Sequence, residues 1–221
     1  MVIKVLYEDN HCIAVVKPTG IPVMPDSSGD KSMLDITKEY LKIKYNKPGN
    51  VFLGLVQRLD RSTGGAMVFA KTSKGASRLS KQIREGLVKK KYLAVAAGYF
   101  DEESGAMRDF LKKDKKNNKS FVVDEKTQGA KEAVLEYYVL EKKDNFTMVE
   151  LSLLTGRHHQ IRVQFSSRGH VLYGDVKYGS PNKARLGLWA SEIEFEKPVG
   201  RDKIKVRCEP DYLTEPWRRF S

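Results

Sequence analysis

Cysteine is nearly absent from this chain, with Cys12 and Cys208 alone among 221 residues. That is too few for a disulfide framework, and with four histidines in all no CxxC or HExxH spacing is available, so no metal and no cofactor is expected. A reduced, cytoplasmic setting is the default for such a composition. Long apolar runs are missing as well. The opening MVIKVLYEDNHCIAVVKP breaks its apolar residues with charges, unlike a signal peptide, and no later run reaches the length of a membrane span. Acidic residues are in deficit. Forty Lys and Arg against 28 Asp and Glu leave a net charge of +12, a field that draws polyanions, nucleic acid first among them. Repeats are absent, as are low-complexity tracts other than one lysine-rich stretch. No linker is long enough to force a second domain, so residues 1–221 are expected to form a single domain.

What is present builds a core, since 40% of residues are hydrophobic. Val2 to Leu6 and Cys12 to Val16 read as strands, and Lys17-Pro18-Thr19-Gly20 turns the chain. Ser32 to Tyr45 reads as a helix with Ser32 as N-cap and Asp35 in the capping-box position, ended by Lys47-Pro48-Gly49-Asn50. Val51 to Val56 and Ala66 to Ala70 read as strands. A helix follows from Thr72 or Ser73, with Ala76, Leu79 and Ile83 on one face and Gly86 past its end. Val88 to Tyr99, Val134 to Leu140 and Thr147 to Leu154 are further strands, and the charged segment Asp109 to Lys131 between them suggests a mobile hairpin or insert.

Three stretches can carry chemistry. In VQRLDRSTGGAMVFAK, Asp60 stands between Arg58 and Arg61, on a loop between strands and just before a glycine pair. A guanidinium close to it would favour the ionised acid, a nucleophile or a base, although an Arg-Asp pair can equally do no more than pin a loop. In LTGRHHQIRVQF the period predicts a helix capped by Thr155, with His158, Ile161, Arg162 and Phe165 on one side. Arg162 at the edge of that apolar stripe is placed to reach a partly buried anion, or else only snorkels. His158 and His159 would point to different sides of that helix. In KKKYLAV, Lys89 and Lys90 precede Tyr92, whose ring can stack on a base while the lysines hold phosphates, or can be an ordinary strand aromatic.

Taken in order, RLDRSTGG, KKYLAV, TGRHHQIRVQ and GDVKYG, with KPTGIPV ahead of them, resemble the motifs of RluA-type pseudouridine synthases across practically the whole chain. That resemblance implies an α+β fold with a large mixed, mainly antiparallel sheet, flanking helices and a central basic cleft. It implies isomerisation of a uridine in transfer or ribosomal RNA by a cytoplasmic protein that needs no cofactor and is expected to be monomeric, with RNA as its partner. Asp60 matches the catalytic aspartate, which attacks the ribose or removes a ribose proton. Tyr92 matches the tyrosine packed on the target base, with Ile161 beside it as a substrate contact. Arg162 matches the basic residue paired with the aspartate, and Arg58 an arginine near the flipped nucleotide. Arg61, Lys89, Lys90, Arg157 and His159 are expected to meet the RNA. Gln57, Gly64 and His158 depart from the usual histidine, serine and threonine. The small N-terminal RNA-binding domain of many relatives is expected to be absent. A non-catalytic RNA-binding or ribosome-associated module is the alternative. A nucleoside hydrolase would want a second carboxylate, for which Asp175 is the nearest candidate, though the sequence favours it as a turn-capping acid before Tyr178-Gly179.

Overall fold

The computed structural model describes residues 3–200 and 202–221. Val2, the expected start of the first strand, lies outside the described residues. In chain order the elements are β1 (Lys4–Glu8), β2 (Cys12–Lys17), α1 (Met33–Lys44), β3 (Gly54–Leu55), β4 (Gly64–Ala70), α2 (Ser73–Arg84), β5 (Lys89–Ala97), β6 (Ser104–Asp114), β7 (Lys119–Val123), β8 (Lys131–Lys143), β9 (Phe146–Leu153), α3 (Gln160–Ser166), β10 (Leu188–Glu196) and β11 (Lys203–Arg207). The class is α+β, with a mixed, mainly antiparallel sheet. The chain divides into two compact units, Met1–Lys89 with Ala190–Glu209, and Lys90–Trp189 with Pro210–Ser221.

In the first unit the strands run β1-β2-β4-β10, with β3 on β4 and β11 on β10. β2 and β4 are buried along almost their whole length, which is why both read as continuous apolar runs and not as alternation. The capping box at α1 forms as expected, Ser32 accepting from the Asp35 N–H while the Asp35 carboxylate accepts from the Ser32 N–H. Thr72 caps α2, and Gly86 follows its end at φ +70°. The strand expected over Val51 to Val56 shrinks to Gly54 and Leu55, paired with Ala70 and Phe69. A Cβ at Gly54 would stand 2.8 Å from the Ala76 Cβ, so the absence of a side chain lets α2 lie close at this point.

In the second unit the order is β5-β9-β8-β6-β7, and each neighbouring pair in it is antiparallel. The charged segment is a hairpin but no insert. β6 pairs with β8 from Ser104 to Leu111, and β7 folds back on β6 and ends the order, leaving Phe121 and Val122 exposed. One face of the strands packs Leu93, Val95 and Met148 with Tyr173, Trp217 and Phe220. Leu111, Ala133, Val163 and Tyr178 form a second cluster, which seats α3.

Candidate functional site

Asp60 sits on the loop between β3 and β4, half-buried, as the first residue of a turn closed by the Thr63 N–H on the Asp60 carbonyl at 3.0 Å. Leu59 beside it is buried and anchors the loop. The glycine pair that follows has a steric cause at its second member. Gly65 has φ +118°, and a Cβ there would lie 2.2 Å from the Ala190 carbonyl oxygen of β10.

Under this turn lies Lys17, the last residue of β2, fully buried and opposite Gly65 in the ladder. Its ammonium donates to the carbonyls of Thr63 at 2.7 Å, Pro18 at 2.9 Å and Arg61 at 3.0 Å. Burial pushes its pKa down to about 7; the negative charge of Asp60 pushes it back up, and Arg61 pushes it further down. Lys17 is thus a cation beside Asp60 that the sequence reading left without a role. The available signal was a lysine ending an otherwise apolar strand, where an ammonium must find acceptors or lose its charge.

Arg61, expected beside Asp60, turns elsewhere. Its Nε donates to the Gly20 carbonyl at 2.9 Å, and its Nη groups pair with Asp30 and, at 3.6 Å, with Asp26. The Arg61 carbonyl in turn accepts from the Gly20 N–H at 2.8 Å, so the residue braces the Lys17–Gly20 turn against the Asp60 turn. Arg58 is exposed. Gln57 buries its Nε2 with no hydrogen-bond partner among the described residues, leaving both amide N–H groups unmatched there. Lys89, also in the first unit, is exposed with its ammonium 3.8 Å from Glu194.

In the second unit Tyr92 is buried on β5, opposite Leu151, and Ile161 is buried on α3. Lys90 is partly buried, which lowers its pKa, and Arg157 is exposed with its Nε on the Glu132 carbonyl at 2.7 Å.

The helix predicted from Thr155 begins only at Gln160. Thr155 does not cap it. Its hydroxyl accepts from the Val134 N–H at 2.8 Å and meets the Gln160 side chain, whose Oε1 also accepts from the Arg157 N–H at 3.0 Å. Gln160 therefore ties the Thr155–Arg157 segment to β8, and the N-cap is His159, in the left-handed region at φ +54°. This backbone turn also corrects the expected divergence of the histidines, since the rings of His158 and His159 stack with centroids 3.8 Å apart. His158 lies against the hairpin, its Nδ1 2.9 Å from the Ser120 hydroxyl. His159 itself is buried, 8% exposed.

Arg162 reaches a buried anion, as its place on the stripe suggested. Its Nε and Nη2 donate to the two oxygens of Asp175, each at 2.7 Å, with the side chains only 8% and 1% exposed. The turn-capping reading of Asp175 is overturned, because its carboxylate makes no cap bond and the turn closes on its backbone carbonyl. Gly174 permits that placement. Its φ is +73°, and a Cβ would lie 2.3 Å from the Arg185 carbonyl oxygen. With both oxygens of Asp175 given to Arg162, the second carboxylate of a nucleoside hydrolase is not at hand in this residue. Among the described residues no three His, Cys, Asp or Glu side chains gather as metal ligands, and no helix is long and apolar enough to cross a membrane.

Residues 11–167 match the family described as RNA pseudouridylate synthase. The ribosomal large subunit pseudouridine synthase C of Buchnera aphidicola subsp. Baizongia pistaciae (strain Bp) is 31% identical over 95% of this chain and 67% of its own length. The ribosomal large subunit pseudouridine synthase D of Borreliella burgdorferi (strain ATCC 35210 / DSM 4680 / CIP 102532 / B31) is 32% identical over 99% of this chain and 66% of its own. The chain thus spans about two thirds of these curated relatives. Among solved structures, human RNA pseudouridylate synthase domain containing 4 superposes with a TM-score of 0.79 at 23% identity, covering 95% of this chain and 89% of that one, a likeness of fold.

Proposed function

The chain belongs to the RNA pseudouridylate synthase family, and from that premise we propose that it isomerises a uridine of ribosomal or transfer RNA with Asp60 as the reacting carboxylate. The observation that carries the assignment is the braced turn that holds Asp60 half-exposed above the Lys17 ammonium. The reaction breaks the bond from uracil N1 to the ribose, turns the base and joins uracil C5 to the same carbon. The proton lost from C5 is matched by one gained at N1, so no oxidant, reductant or outside nucleophile enters. Attack on the ribose and removal of a ribose proton both begin from a carboxylate in the position of Asp60.

Tyr92 and Ile161 are assigned as apolar contacts of the base, Arg162 as the site's cation and Arg58 as the side chain near the extruded nucleotide. Lys89, Lys90 and Arg157 are assigned to phosphates, and Arg61 to the RNA through the turn it braces. A target base taken out of a stack costs a few kcal/mol, which contacts of this kind offset, and the net charge of +12 supports them. The whole chain is proposed to act as one catalytic domain, monomeric and in the cytoplasm.

Asp60→Asn keeps size and hydrogen bonding while removing the nucleophile or base. Pseudouridine formation on ribosomal and transfer RNA should fall below detection while RNA affinity persists. Turnover near the wild-type rate would refute the role of Asp60, and a wild-type protein that binds RNA but yields no pseudouridine would favour the non-catalytic module.

A further inference from the structure

Arginine has only donors, so the 3.0 Å approach of Arg162 Nη1 to His159 Nε2 requires that nitrogen to accept. The proton of the neutral ring then sits on Nδ1, which lies 3.0 Å from the Tyr178 hydroxyl and donates to it. That hydroxyl also accepts from the Ser120 N–H at 2.9 Å and passes its own proton to the Ser120 carbonyl at 3.2 Å. Every donor and acceptor position of the phenol is thereby used, and the roles along the chain are fixed in one sense only. The Tyr178 ring adds a face, with the Arg162 guanidinium 5.2 Å from its centroid.

We infer that Asp175, His159 and Tyr178 are positioning residues that together fix the plane and direction of the Arg162 guanidinium, with His159 locked as its Nδ1–H tautomer and Ser120 anchoring the chain in β7. The inference rests on the assignment of Arg162 to the reacting site. Three of the five guanidinium N–H groups go to Asp175 and His159. This directs the other two, one on each Nη, toward whatever anion Arg162 serves. His159 is suited to such a task because it does not charge. Burial and then the Arg162 guanidinium push its pKa down to about 2, with His158 and the ammonium groups of Lys177 and Lys113 acting in the same direction. A charged imidazole would turn its Nε2 acceptor into a donor aimed at another donor.

Two measurements test this. In protein labelled with 15N-histidine, the His159 ring, identified by its loss in His159→Gln, should remain the neutral Nδ1–H form from about pH 5 to pH 8, well above its lowered pKa. A ring that titrates in that range, or carries its proton on Nε2, would overturn the inference. Tyr178→Phe removes one hydroxyl from the chain and should lower kcat about tenfold, with KM and RNA affinity unchanged and the fold retained by circular dichroism. Asp175→Asn, which sets an amide against the guanidinium donors, should lower kcat more. An unchanged kcat in Tyr178→Phe, or a raised KM at constant kcat, would also overturn it, the latter by making these residues RNA contacts. If the wild-type protein makes no pseudouridine, the functional reading fails, whereas the tautomer is still read without turnover.

Discussion

Two buried cations, one in each unit, are satisfied in different ways. Lys17 is surrounded by three backbone carbonyls, while Arg162 is gripped by one carboxylate and one imidazole. Carbonyls compensate an ammonium without neutralising it, so burial lowers the Lys17 pKa to about 7. Its gain is conformational, because one side chain ties the end of β2 to the Arg61 and Thr63 carbonyls of the Asp60 turn. Arg162 keeps its charge at any working pH and gives up freedom of direction. The first arrangement fixes a loop, and the second fixes a vector.

The sharpest way to break the contrast is Arg162→Met. It strands the carboxylate of Asp175, 1% exposed, and should cost about 3–5 kcal/mol of stability together with nearly all activity. Adding Asp175→Leu to that variant should recover most of the stability and none of the activity, as read by urea unfolding and pseudouridine yield. A double variant as unstable as the single one would mean that the pair is not what the fold misses.

Lys17→Met probes the other cation. It leaves three carbonyls without their donor and should cost roughly 2–4 kcal/mol, with the acid of the neighbouring turn less well placed. The pH dependence separates this from ordinary packing loss. The folded pKa of about 7 lies below the ordinary lysine value, so between the two the unfolded chain binds more protons and stability rises with pH. The cost of burying the charge is therefore full below pH 7 and relieved above it. The unfolding free energy of the wild type relative to Lys17→Met should increase from pH 6 to pH 9. A constant difference would show that the three carbonyls compensate the charge completely.

The smallest effect concerns cations that are neither buried nor paired to the core. The segment Lys112 to Lys119 holds five lysines, but Lys119 leans over the Tyr178 ring at 4.8 Å, which leaves Lys112, Lys113, Lys115 and Lys116 exposed. If those four contact phosphates, changing them to serine should flatten the slope of log affinity against log salt by up to about 2.8, at roughly 0.7 per contact for single-stranded RNA. Chemistry at saturating RNA should change little. Identical slopes would assign the grip to the lysines before Tyr92.

Local signals and distant ones were legible to different degrees. The Ser32–Asp35 box, Thr72, Gly86 and the apolar runs of β2 and β4 could be read in sequence because each is decided within a few residues. Asp60 was also legible as a side chain presented between two strands. The brace beneath it was not, since Lys17 meets Arg61 and Thr63 across 44 and 46 residues. Around Arg162 the local signal misled. Thr155 has the chemistry of an N-cap, but Gln160 and Val134 compete for its hydroxyl, and a left-handed His159 is not an event that residue preference predicts. The same backbone turn stacks two histidines that helical geometry would have separated.

β7 ends the strand order of its sheet; its Ser120 backbone groups are held by Tyr178, and the strand beyond them carries two exposed apolar side chains, Phe121 and Val122. Such an edge is a template for a further strand from another molecule. Here the hairpin that leads into it is crowded with ammonium groups, so a second copy approaching edge to edge would bring like charge against like charge. That repulsion opposes edge-to-edge pairing, and it weakens in concentrated salt, where screening shortens to about 3 Å at 1 M.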